Sequence, residues 1–72
     1  MDYRFWIKLI RFALVEQGIK IPKRILVKTE HNKLWYQATL ILPQASVYGG
    51  PSLSLDGAYK ELLSEVKLLR IL

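Results

Sequence analysis

Arg24-Ile-Leu-Val-Lys-Thr29, Glu30-His-Asn-Lys33 and Leu34-Trp-Tyr-Gln-Ala-Thr-Leu-Ile-Leu42 follow one another without a break, and their reading decides the fold. The first and last of these runs are rich in β-branched and aromatic residues, which pack well on a pleated surface, and the middle one is short and polar. That is the pattern of a β-hairpin. With His31 and Asn32 at the tip, Thr29 faces Leu34, Val27 faces Tyr36 and Ile25 faces Ala38. Period-two alternation then sets these on the core side with Leu40 and Leu42. The opposite side shows Arg24, Leu26, Lys28, Trp35, Gln37, Thr39 and Ile41.

Upstream, Asp2 to Gln17 contains no Pro or Gly, and Tyr3, Trp6, Ile7, Ile10, Ala13 and Leu14 recur at helical spacing, so one helix is expected there, stopped by Gly18. Arg4, Lys8 and Arg11 form a narrow stripe on it. Phe5, Leu9 and Phe12 widen its apolar surface beyond what one sheet can cover. Downstream, Pro43 ends the hairpin, Gln44 to Tyr48 suits a short third strand, and Gly49-Gly50-Pro51 breaks it. Ser54 is a good N-cap, Asp56 suits the positive end of a helix dipole, and Leu55, Ala58, Tyr59, Leu62, Val66 and Leu69 form the apolar stripe of a second helix from Leu55 to Arg70. The expectation is one α+β domain over residues 1–72, of order α-β-β-(β)-α. Two helices would pack on one face of a small antiparallel sheet, around Ile25, Val27, Tyr36, Ala38, Leu40, Leu62 and Val66.

At 72 residues the chain is near the lower size at which one core holds without staples. There is no Cys and one His, so disulfides and Cys-based metal sites are excluded, and neither a metal nor a cofactor is expected. Asp2 to Val15 is apolar enough to suggest a targeting segment, but Arg4, Lys8 and Arg11 interrupt it and it is too short to span a bilayer. No membrane span is expected, and a cytoplasmic location is the default.

Charge is uneven. The first 33 residues carry eight Lys/Arg against three acids, whereas residues 34–72 carry three against three. Such an imbalance suits a polyanion or an acidic protein surface. Lys20, Lys23, Arg24, Lys28 and Lys33 surround the hairpin, with His31 near its tip and Trp35 opposite the core. Cations beside an exposed ring are what a nucleic acid requires, since they neutralise phosphates while the indole stacks on a base. Catalysis is not expected, because His31 has no Ser, Cys or Asp arrangement around it to activate. Asp56, Glu61 and Glu65 read as a solvated helix face.

The order helix, strand, His-containing turn, strand, third strand, Gly-containing loop and helix resembles the double-stranded-RNA-binding domain family over the whole chain. Gly18-Ile-Lys-Ile-Pro22 is similar to that family's link into the first strand. His31 lies where the family places its minor-groove His, and Gly50 to Ala58 is similar to the approach to its second helix. The resemblance implies that Glu16 and Gln17 are the first-helix candidates for minor-groove contact. In place of the family's Lys-rich phosphate clamp stands Leu55-Asp56-Gly57-Ala58-Tyr59, and an Asp at a helix N-terminus repels the phosphate that the dipole attracts.

Two functions follow as expectations. In the first, Lys20, Lys23, Arg24, Lys28, His31, Lys33 and Trp35 bind nucleic acid, RNA ahead of DNA. In the second, Phe5, Trp6, Leu9 and Phe12 dock a protein partner or a second copy of the chain as a homodimer.

Overall fold

A computed structural model describes residues 3–69, in the order α1 (Arg4–Glu16), β1 (Leu26–His31), β2 (Tyr36–Ile41), β3 (Ser46–Tyr48) and α2 (Leu55–Leu68). The α+β class and the α-β-β-β-α order are those expected, and the third strand forms. The strands make an antiparallel meander with β2 at the centre. The Asp2 start and Arg70 end expected for the two helices lie outside the described residues.

α1 stops at Gly18 as its sequence says it should, whereas α2, expected to reach Arg70, ends at Leu68 because Leu69 is already extended. Gly18 adopts φ 74°, its N–H donates to the Val15 carbonyl and that of Ile19 to the Leu14 carbonyl, both at 3.0 Å. This pair of bonds closes the C-terminus of α1 through a left-handed residue, a conformation that favours glycine. At the start of α2, Ser54 Oγ accepts from the Gly57 N–H at 3.0 Å, with Asp56 in the first turn and Lys67 in the last. Both charges oppose the helix dipole.

The two helices run parallel and in register. Trp6 Nε1 donates to Asp56 Oδ1 at 3.2 Å near their N-termini, and Gln17 Nε2 donates to the Lys67 carbonyl at 2.7 Å near their C-termini. Both pairs are separated by 50 residues, which only a parallel arrangement gives. α2 lies across β2 and β3, and α1 lies beside α2. Ile10 and Leu14 of α1, Ala38 and Leu40 of β2, and Ala58, Leu62 and Val66 of α2 are fully buried in one cluster. Ile25, Val27 and Tyr36, expected in the core, pack against its edge and are half-buried.

The hairpin register differs from expectation. Val27 pairs with Leu40, Thr29 with Ala38 and His31 with Tyr36, because β1 runs on through His31 and the turn is residues 32–35. The Asn32 N–H donates to the Trp35 carbonyl at 2.8 Å, and the rings of His31 and Tyr36 stack with centroids 4.2 Å apart. A polar turn closed one step later moves every pair by an even number of residues. Side chains within the strands therefore keep the face the alternation assigned to them, whereas Leu34, expected on the core side, falls in the turn and is 78% exposed, and Trp35 leaves the strand with it.

Gly49 does more than turn the chain. A Cβ at this position would lie 2.8 Å from the Leu62 backbone nitrogen and 2.9 Å from its Cα. Glycine is what lets the end of β3 approach α2. Gly49→Ala is therefore expected to destabilise the fold by about 1–3 kcal/mol through overpacking, read as a lower urea midpoint. An unchanged midpoint would show that the helix can give way there.

Candidate nucleic-acid interface

The cations expected at the hairpin occupy both ends of β1, an edge strand. Lys20, Lys23 and Arg24 are exposed in the link from α1 to β1. The Lys20 carbonyl accepts from Gln44 Nε2 at 3.3 Å, which ties that link to the turn between β2 and β3. An open cleft of about 450 Å³ lies there, lined by Lys20, Ile21, Pro22, Pro43 and Gln44. Exposed Lys33 and His31 lie at the opposite end with Trp35, which is half-buried without joining the core cluster. Six extended residues separate these ends by about 17 Å. Lys28 sits between them, its ammonium 3.9 Å from Glu30 Oε1, with both side chains more than half exposed. In such an exposed pair the Lys can exchange its partner at little cost.

One link between the basic groups was not legible in the sequence. Arg11, on the helix stripe, donates through its guanidinium to the Lys23 carbonyl at 3.2 Å. The stripe of α1 and the cations before β1, read as two sets, therefore meet at this point. Between residues 17 and 55 the chain carries Lys20, Lys23, Arg24, Lys28 and Lys33 against the single carboxylate of Glu30. The sheet and its connecting loops are thus the anion-attracting part of the molecule.

The family-like contact residues do not come together. The side chain of Gln17 is engaged by the Lys67 carbonyl at the C-terminal end of α2, and Glu16 is beside it. The hairpin tip adjoins the other end of α2, because Tyr36 and Ser52 exchange backbone hydrogen bonds of 2.7 and 2.9 Å. A 14-residue helix places those ends about 20 Å apart. Asp56, in the first turn of α2, accepts the Trp6 indole N–H.

Trp6, one of the four residues expected to dock a partner, is the one tied most closely into the fold. Its ring is half-buried, stacked on Tyr59 at 6.4 Å and 12°, while its N–H is used by Asp56. Phe5 and Phe12 stay 59% and 63% exposed, and Leu9 is half-buried in a groove between the helices of about 280 Å³ with Phe12, Ala13, Glu16, Leu63 and Lys67.

Sequence reasoning missed Tyr48. It pairs with Thr39 in the sheet and points away from the helices, 66% exposed, and only the β2–β3 register reveals this. Among the described residues no helix is long and apolar enough to cross a membrane, and no group of three or more His, Asp or Glu could hold a metal ion. No protein-family model, curated protein or solved structure matches the chain.

Tyr59 is buried under the rings of Tyr3, at 5.2 Å, and Trp6. Burial first, and the neighbouring Tyr3 phenol second, raise its pKa above 10.0. The folded state holds this proton more tightly than the unfolded chain. The resulting stability is therefore complete below pH 10.0 and lost as pH rises through the raised value. The urea midpoint should fall more steeply above that pH in the wild type than in Tyr59→Phe, and equal slopes would exclude this origin.

Proposed function

We propose that this protein is a nucleic-acid-binding module, for RNA ahead of DNA, that works through β1 and the loops at its two ends. One observation carries the reading: five cations stand against one carboxylate across residues 17–55, and that carboxylate is already held by Lys28. Lys20, Lys23 and Arg24 at one end and Lys33 at the other bracket a run of about five phosphates, at about 3.4 Å per nucleotide of a duplex strand. His31 adds a ring N–H donor at the tip, and Trp35 lies beside it as a surface for a base or sugar. This is the reading of a binding protein and not of an enzyme, with the cytoplasm as its place of action. The α-β-β-β-α order with parallel helices supports the likeness to double-stranded-RNA-binding domains as a fold, while Asp56 and Gln17 speak against that family's way of gripping a duplex.

If about five phosphates are neutralised, affinity falls about 500-fold for a duplex and about 100-fold for a single strand between about 50 mM and about 200 mM salt. Lys23→Glu combined with Lys28→Glu should abolish most of the low-salt binding in a titration with labelled RNA. The reading is lost if that double variant binds as the wild type does.

A second reading rests on a different surface. Phe12, 63% exposed beside the groove of Leu9 and Leu63, is an unusual residue to leave in water and would suit a protein partner or a second copy of the chain. Phe12→Asp should then lower the mass in solution, or release the partner, without moving the urea midpoint. Unfolding by that substitution would show that the ring supports the core instead.

A further inference from the structure

We propose that the nucleic acid is single-stranded and crosses the helix-free face of the sheet, with Tyr48 as the ring on which a base stacks. The inference rests on the nucleic-acid reading above and adds the face used and the form of the ligand.

Because α1 and α2 share one side of the sheet, the other side is open. β1 sets Leu26, Lys28 and Glu30 on it, β2 sets Gln37, Thr39 and Ile41, and β3 sets Ser46 and Tyr48. In one cross-strand row, Lys28, Thr39 and Tyr48 lie side by side. Thr39 is small and 7% exposed, so it forms a floor between an exposed cation and an exposed ring. Neighbouring strands are about 4.8 Å apart, so the backbones bearing Lys28 and Tyr48 are separated by about 10 Å. A nucleotide can bridge that gap with its phosphate on the ammonium and its base on the phenol ring. The next row adds Leu26, 59% exposed, and half-buried Ile41 as an apolar surface for a neighbouring sugar or base.

Tyr3, Phe5, Trp6, His31, Tyr36 and Tyr59 each stack on or abut another ring, whereas among the described residues Phe12, Trp35 and Tyr48 have no ring partner, and of these three only Tyr48, 66% exposed, stands on a strand of the sheet. A free ring with a cation in the same row is the minimal unit of sequence-tolerant single-strand binding. In a duplex the base faces are covered by their neighbours, so a flat ring on a sheet gains nothing from it. The alternative grip on a duplex is missing where it is needed, since Asp56 holds the N-terminus of α2 and is bonded to Trp6.

The test is a titration of wild type, Tyr48→Ala and Tyr48→Phe with labelled oligouridylate and with an RNA duplex of equal length at low salt, with far-UV circular dichroism on each variant. Tyr48→Ala should weaken single-strand binding about 10-fold or more, and Tyr48→Phe, which keeps the ring, should stay within about 2-fold of wild type. Ultraviolet crosslinking of bound oligouridylate to the wild type should label Tyr48, and it gives the answer even if Tyr48→Ala unfolds. Wild-type binding that Tyr48→Ala leaves unchanged, preference for the duplex, or crosslinks confined to the loops at the two ends of β1 would overturn this inference and leave the basic surface standing. A wild type that binds neither probe would overturn both.

Discussion

α2 packs at once on β2, on β3 and on α1, and its Leu62 and Val66 are fully buried between them. Everything else in the molecule follows from that placement. β3 must come close enough for its end to meet the backbone of Leu62, which is why Gly49 has no side chain there. α1 gains its place beside α2 and is fastened at both ends, by Trp6 to Asp56 and by Gln17 to Lys67. Burying those seven fully enclosed side chains is the large term, and the two terminal hydrogen bonds contribute about 1 kcal/mol each by fixing the register.

The same geometry decides what is left for solvent. α1 packs beside α2 and buries Ile10 and Leu14 in the shared core, so Phe5 and Phe12 stay largely exposed, and Arg11 reaches the link before β1. β1 is held by β2 alone and keeps one free edge. Edge strands are commonly protected by Lys, and Lys28 serves that purpose whatever else it does. Four further cations, Lys20, Lys23, Arg24 and Lys33, stand in the adjoining loops and not on the strand itself. Asp56, by contrast, is spent inside the fold, and its carboxylate serves both the dipole of α2 and the indole of α1.

Much of the architecture was legible because local chemistry and periodicity agree. Gly18 stops α1, Ser54 caps α2, and the alternation of Ala38, Leu40 and Leu42 points inward as its polarity says it must. The hairpin pairing was not, since a polar turn of four residues leaves two registers of equal face pattern, and the choice falls to the stacking of His31 on Tyr36 and to the turn bond from Asn32 to Trp35. Of the candidate surface, the identity of the cations could be read directly. Their division between two ends of β1, the junction of Arg11 with Lys23 and the withdrawal of Trp6 into the fold could not, because each depends on pairs of residues 12 to 50 positions apart.

By itself, then, the sequence determined the class, the order of elements, the face each strand residue takes and the excess of positive charge in the first half of the chain. These are properties of nearest neighbours and of periods of two and 3.6 residues. Only the tertiary structure decided that the helices run parallel with their ends tied, that β1 is left at an edge with cations at both ends, and that Tyr48 stands uncovered across from Lys28. Those outcomes depend on which apolar faces meet, and a 14-residue helix that satisfies the sheet on one side and a second helix on another leaves one arrangement for the rest.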